Sequence, residues 1–83
     1  MIMKLRFTNK RLVEIIKSNT SILYNVDDIE AIFISVKKIY FYKIYFLNIK
    51  TNNKEIKSYI INKKSKEDIK REVFKIKTHI NFH

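Results

Sequence analysis

The stretch that decides the fold is residues 39–63, which read IYFYKIYFLNIKTNNKEIKSYIINK. β-branched and aromatic residues are concentrated on both sides of Asn52 and Asn53, and these residue types favour strands. Two adjacent asparagines can adopt the positive φ angles of a tight turn. The stretch therefore predicts a β-hairpin with strands at 39–50 and 55–63.

A two-residue turn at the asparagine pair also sets the register of this hairpin. It places Lys50 opposite Glu55 and Phe46 opposite Tyr59, an opposite-charge pair and an aromatic pair that are both favourable neighbours across a sheet. The same register predicts one face of mixed aromatic and cationic composition, as in a surface that stacks bases. The residues on that face are Tyr42, Phe46, Tyr59, Ile61, Lys50, Lys57 and Lys63.

Before this hairpin, residues 28–36 are rich in β-branched residues and predict a third antiparallel strand. A turn at Lys37 and Lys38 would pair Ile34 with Phe41. Further upstream, residues 2–7 alternate apolar and polar side chains, which indicates a short strand. Thr8 then suits the N-cap of an amphipathic helix over 9–19.

After the hairpin, Ser65 and Asp68 have the spacing of a capping box. Ile69, Val73 and Ile76 follow at helical spacing, so we expect a helix from residue 66 to about 80. The prediction is one α+β domain, residues 1–83, in the order β-α-β-β-β-α. It has a small antiparallel sheet of three to four strands with an N-terminal and a C-terminal amphipathic helix.

Composition narrows the possible chemistry of this 83-residue chain, which has no cysteine, glycine or proline. Disulfides, thiolate metal ligation and cysteine catalysis are excluded, as are glycine-dependent phosphate loops. The first residues are too charged for a signal peptide, and no apolar stretch reaches the roughly 20 residues of a spanning helix. We expect a cytoplasmic protein without a membrane partner and without a cofactor.

The formal net charge is +10, which is typical of proteins with an acidic partner such as nucleic acid. The abundance of Ile, Lys, Asn, Tyr and Phe is also typical of an AT-rich gene, so codon usage accounts for part of the lysine excess. The net charge is thus compatible with a basic surface that binds a partner and with a basic surface that is only solvated.

The predicted binding residues come from the mixed sheet face and from the beginning of the C-terminal helix. A purely structural role is the alternative for both groups. The aromatic rings would then pack in the core, and the basic residues of the helix would form a solvated surface on which Glu67 pairs with Arg71. Two histidines at positions 79 and 83, and acidic residues at 27, 28 and 30, do not make a convincing metal site. The residues predicted to bind nucleic acid or a partner are Lys50, Lys57, Tyr59, Lys63, Lys66, Lys70 and Arg71.

A further pattern comprises the opening residues 3–8, MKLRFT, and Lys43-Ile44-Tyr45 leading into a hairpin. It resembles the RelE-type toxin ribonucleases over the first strand and helix and one hairpin. The resemblance implies RNA cleavage without a metal. The chain departs from the family in having Lys43 where a middle-strand arginine is usual.

The leading hypothesis is a small basic, non-enzymatic module that binds nucleic acid or a protein complex that handles nucleic acid. The alternative is an inhibitor, carried by a phage or another mobile element, that blocks a host nuclease or defence system by protein–protein contact. A RelE-like ribonuclease is a further alternative. Because strand 39–50 is apolar on both faces, a homodimer through the second sheet face is also possible.

Overall fold

The computed structural model describes residues 3–81, which form two three-stranded antiparallel sheets and one C-terminal helix. The first sheet has the strands β1 (Lys4–Thr8), β2 (Leu12–Lys17) and β3 (Thr20–Asn25). The second has β4 (Ile29–Ile39), β5 (Tyr42–Thr51) and β6 (Ile56–Ile61), and the helix is α1 (Lys66–Asn81). Short 3₁₀ helices, Val26–Asp28 and Lys63–Ser65, precede β4 and α1.

The predicted helix at 9–19 is wrong, and with it the order β-α-β-β-β-α. Asn9 and Lys10 have positive φ angles, 52° and 56°, which end β1 in a turn instead of continuing into a helix. Val13 and Ile15 are then fully buried while Leu12 is exposed. This alternation has the period of a strand, and pairing with β1 on one side and β3 on the other satisfies its backbone.

The turn between β4 and β5 lies at Tyr40 and Phe41 and not at Lys37 and Lys38. Ile39 is opposite Tyr42, and Ile34 is opposite Leu47 instead of Phe41. Both lysines are therefore strand residues, and the hairpin is longer than the sequence predicted.

The turn between β5 and β6 is one residue longer than predicted. Its loop is Asn52, Asn53 and Lys54; the Lys54 N–H donates to the Thr51 carbonyl at 3.0 Å, and Lys54 has a φ of 70°. A turn followed by one left-handed residue is the usual three-residue hairpin loop.

The extra loop residue changes the register of β6 by one position. Lys50 is opposite Ile56, not Glu55, and Phe46 is opposite Ile60, not Tyr59. Because a one-residue change reverses which face each side chain occupies, Tyr59 faces the core. The predicted face combining Phe46 with Tyr59 does not form.

Both sheets and α1 contribute to one hydrophobic core. The helix packs against β1 of the first sheet and β4 of the second, and it begins and ends close to the predicted limits. No helix among residues 3–81 has the length and apolar character needed to cross a membrane. The buried apolar residues are Met3, Leu5, Val13, Ile15, Val26, Ile29, Ile32, Leu47, Ile49, Ile61, Ile69, Val73 and Ile76.

Candidate nucleic-acid interface

Strands β4 and β5 extend beyond the third strand of their sheet. The last residue of β6, Ile61, is opposite Tyr45, so residues 37–44 pair only with each other. We call this two-stranded ribbon the arm. At about 3.3 Å per strand residue, it projects about 13 Å beyond the end of β6.

Three consecutive aromatic residues lie at the tip of the arm. Tyr40 is 88 % exposed, Phe41 is 99 % exposed and Tyr42 is 72 % exposed. Tyr40 also has a φ of 52°, a left-handed conformation that costs a bulky residue about 1 kcal/mol. The tip thus combines exposed rings with a left-handed residue, a conformation that this glycine-free chain also adopts at Asn9, Lys10, Ser18 and Lys54.

The arm is cationic as well as aromatic. It carries Lys37, Lys38 and Lys43, and none of them forms an ion pair with a residue among 3–81. Lys38 and Lys43 are direct cross-strand partners, an arrangement of like charges that destabilises a sheet. The charge of the arm is therefore available to an anionic ligand.

A second basic group lies where the arm meets the helix. The Lys66 Nζ is 4.2 Å from the centre of the Tyr45 ring, a cation–π distance. The pKa of the Tyr45 phenol is lowered, first by hydrogen bonding to Lys66, against the opposing effect of desolvation, and also by the positive charges of Lys66, Lys43 and Lys70. These four residues, Lys43, Tyr45, Lys66 and Lys70, are called the Tyr45 cluster.

Acidic residues lie at the other end of the second sheet. Glu30, near the start of β4, forms ion pairs with two lysines. Its Oε1 lies 3.0 Å from the Lys54 Nζ and 3.9 Å from the Lys50 Nζ. These contacts lower the pKa of Glu30, chiefly through the hydrogen bond from Lys54. Asp27, Asp28 and Glu55 are at the same end, and no acidic residue occurs from 31 to 54. The second sheet is therefore polarised, with its positive end at the arm.

The exposed charges of α1 are largely paired within the helix. Arg71 contacts Asp68, Lys75 contacts Glu72 at 3.0 Å, and Lys70 lies 3.8 Å from Glu67. Such i,i+3 pairs are typical of a helix surface that faces solvent. Of the lysines and the arginine on α1, Lys66 and Lys77 form no ion pair with a residue among 3–81.

The structure divides the predicted binding residues among separate places. Lys66 and Lys70 belong to the Tyr45 cluster, and the exposed Lys63 lies in the 3₁₀ turn that leads into the helix. Arg71 is paired to Asp68 on α1, and Lys50 is at the acidic end of the second sheet. The predicted set does not form one surface.

Two further predicted residues are on β6. Tyr59 is half-buried, and its hydroxyl is 2.7 Å from that of Tyr24 on β3, so its ring links the two sheets and is not open for stacking. Lys57 is exposed opposite Ile49. The predicted register would have placed Lys57 opposite Asn48, and the one-residue change of register moves it to Ile49.

Sequence reasoning missed Lys37, Lys38, Tyr40 and Phe41 as parts of a site. Two signals pointed to them: the aromatic run 40–42 is flanked by lysines, and residues 31–54 contain no acidic side chain. The sequence analysis predicted a turn at the lysines and a strand interior at the rings, and these assignments do not present them as a site.

The outer face of the second sheet, turned away from the core, is apolar with a polar centre. Its centre is Asn48, a buried side chain whose Nδ2 donates to Ser35 Oγ at 2.8 Å and whose Oδ1 accepts from Ser58 Oγ at 2.6 Å. The apolar members of this face are Phe33, Ile44, Phe46, Ile56 and Ile60.

Two other chemical possibilities find no arrangement to support them. Among residues 3–81 no three potential ligands come together for a metal ion, and His79 packs edge-on against Phe7 at 5.5 Å; position 83 lies outside the described residues. The strand–helix order behind the resemblance to RelE-type toxins is replaced by the hairpin of β1 and β2.

Comparison of the chain with protein-family models, with curated proteins and with solved structures found no significant match.

Proposed function

We propose that this chain is a non-catalytic nucleic-acid-binding module whose main contact element is the arm. The observation that carries the proposal is the combination, on one projecting hairpin, of three exposed aromatic rings and three lysines without an ion pair among residues 3–81. Aromatic rings stack on bases, and lysines neutralise phosphates. The rings of the arm thus suit the bases of a nucleic acid, and its lysines suit the phosphates.

The exposed rings support binding because their position has a cost and no benefit within the described fold. Tyr40, Phe41 and Tyr42 contribute nothing to the core, and the first of them is in a strained conformation. Large side chains left in water without a packing role are typical of contact surfaces. A base stacked on a ring stabilises the complex by about 1 to 3 kcal/mol.

The distribution of charge supports the same partner. The acidic residues of the second sheet lie at the end opposite to the arm, where Glu30 forms ion pairs with Lys50 and Lys54. An approaching polyanion is therefore attracted to the arm and the adjacent Tyr45 cluster. A net charge of +10 adds a long-range attraction that weakens with salt.

The outer face of the second sheet favours a second candidate function, contact with a protein that handles nucleic acid. Phe33, Ile56 and Ile60 are exposed there, and exposed apolar surface is typical of protein interfaces. An inhibitor that blocks a nuclease belongs to this class. Its binding would depend on apolar anchors and only weakly on salt, in contrast to direct binding of nucleic acid.

The proposal is tested by replacing the tip of the arm in the double variant Tyr40→Gly/Phe41→Asn. Glycine suits a first turn residue with positive φ, so we expect the thermal midpoint to stay the same or rise. Removal of two rings, worth about 1 kcal/mol or more each, should weaken binding of a fluorescent oligonucleotide at least about tenfold.

The matched control is Phe74→Ala, which removes an exposed ring from α1, away from the arm. Its binding should equal that of the wild type. The proposal is overturned if the wild-type protein does not bind DNA or RNA at about 150 mM salt, or if the tip variant binds as tightly as the wild type.

A further inference from the structure

The rings at the tip of the arm are suited to bases that have an open face. In a duplex, each base is already stacked on both sides, and inserting a ring between base steps costs a few kcal/mol per step. An unpaired base carries no such cost and gains the full stacking energy. The two turn rings, Tyr40 at 88 % and Phe41 at 99 % exposure, therefore discriminate in favour of single strands.

The Tyr45 cluster offers what a backbone phosphate needs. The Lys66 ammonium lies 4.2 Å from the centre of the Tyr45 ring, and the positive charges of Lys43 and Lys70 also act on its phenol, which can donate a hydrogen bond. Lys38 adds a fourth positive charge because it is directly opposite Lys43. Among residues 3–81, only Lys70 in this group is near a carboxylate, that of Glu67 at 3.8 Å.

The tip and the cluster are connected along one face of the arm. Lys43 and Tyr45 alternate with outward-facing residues on β5, so both point to the face that meets α1. The turn at Tyr40 and Phe41 lies four to five residues from Tyr45, about 15 Å along the strand.

From this arrangement we infer that the arm and the Tyr45 cluster together bind one single-stranded nucleic acid in preference to a duplex. Unpaired bases stack on the tip rings, and phosphates of the same strand contact the Tyr45 cluster. The inference rests on the proposed function and specifies its substrate class.

The test compares binding of a labelled 12-nucleotide single strand, as oligothymidine and as oligouridine, with binding of the matching 12-base-pair duplexes. Fluorescence anisotropy is measured from about 50 to 300 mM salt, because the salt slope reports the number of phosphates neutralised. We expect the single strands to bind at least about tenfold more tightly than the duplexes at 150 mM salt, the value of one stacked base or more.

A pair of charge-matched variants locates the phosphates. Lys38→Gln/Lys43→Gln/Lys66→Gln removes three charges at the arm and the Tyr45 cluster, and Lys10→Gln/Lys17→Gln/Lys77→Gln removes three elsewhere. The arm variant should lower the salt slope by about 2, since each phosphate contact to a single strand contributes about 0.7. The control variant should leave the slope within about 0.5 of the wild type.

A third variant, Tyr45→Phe, removes one hydroxyl and keeps the ring that Lys66 covers. We expect a loss of affinity of about tenfold or more, because a hydrogen bond to a charged group is worth about 1.5 to 3 kcal/mol. Unchanged affinity would exclude the phenol from the phosphate site.

The outcomes separate the inference from the proposed function. Equal or tighter binding of the duplex overturns the preference for single strands and leaves nucleic-acid binding intact. Equal effects of the two charge variants overturn the assignment of the phosphates to the Tyr45 cluster. Absence of binding to every oligonucleotide overturns both proposals and directs attention to a protein partner of the outer sheet face.

Discussion

Lys38 on β4 and Lys43 on β5 lie directly opposite each other, and neither forms an ion pair with a residue among 3–81. Like charges at such positions destabilise a sheet by a few tenths of a kcal/mol to about 1 kcal/mol. They are on a ribbon that no third strand supports, and two-stranded ribbons are marginally stable. Local stability and local charge are therefore in conflict here, as is common at functional sites.

The first prediction concerns this pair. Lys38→Glu replaces repulsion by attraction to Lys43, so the thermal midpoint should rise by a few degrees, about 0.5 kcal/mol of stability. The same change puts a negative charge beside the proposed phosphate site, so oligonucleotide affinity should fall at least tenfold. Circular dichroism and fluorescence anisotropy on one preparation measure both effects.

A suitable control for the stability gain is Lys37→Glu. Lys37 is opposite the uncharged Ile44, so a glutamate there gains no attraction to a charged residue directly across the strand. Its midpoint should not rise. If Lys38→Glu lowered the midpoint, cross-strand repulsion would not be the relevant interaction.

The second prediction concerns the contact between the two sheets. The pKa of Tyr24 is raised, chiefly by burial and then by the hydrogen bond to Tyr59, so the folded state favours the neutral phenol. Unfolded tyrosine ionises near pH 10. Stability from Tyr24 is thus fully present below about pH 10 and is lost as the pH rises above it.

Tyr24→Phe should accordingly lower the free energy of unfolding at pH 7 by about 1 kcal/mol, the value of one hydrogen bond. Between pH 10 and about 11.5 its stability should decline less steeply than that of the wild type. Urea unfolding at pH 7, 9, 10 and 11 measures this, with Tyr42→Phe as the control for an exposed phenol. Parallel pH profiles for Tyr24→Phe and the wild type would contradict the prediction.

The third prediction concerns the outer face of the second sheet. Asn48, with Ser35 and Ser58, interrupts a face that is otherwise apolar. Asn48→Val keeps a strand-forming residue and makes the apolar surface continuous, and large apolar patches promote association. We expect sedimentation velocity to show more self-association for this variant than for the wild type at equal concentration.

Ser58→Ala serves as the comparison, because it removes one hydrogen bond and leaves the asparagine in place. Its sedimentation should match that of the wild type. Equal self-association of Asn48→Val and the wild type would show that the polar centre does not limit contact through this face.

Local patterns were sufficient for the C-terminal helix. Ile69, Val73 and Ile76 repeat at helical spacing, and no strand pattern fits them. The three strands after residue 28 were also evident from β-branched and aromatic residues, but their turns were not. A loop of three residues in place of two moved Tyr59 from the predicted binding face to the core.

Residues 12–16 show why the N-terminal prediction failed. LVEII fits an apolar helix stripe as well as a strand whose alternate residues are buried. Period alone does not separate the two in so short a segment. Pairing with β1 and β3 decided the outcome, because it buried Val13 and Ile15 completely and satisfied the backbone on both sides.

The sequence by itself determined the chemistry available to this protein: a net charge of +10, no cysteine, no glycine, and aromatic residues adjacent to lysines. Only the tertiary structure decided where these groups are presented. The arm exists because β6 ends opposite Tyr45 while β4 and β5 continue. Whether a hairpin end is covered or projects depends on the length and register of its neighbour. Here the loop at residues 52–54 sets the register of β6, and the 3₁₀ turn Lys63–Ser65 follows the end of that strand.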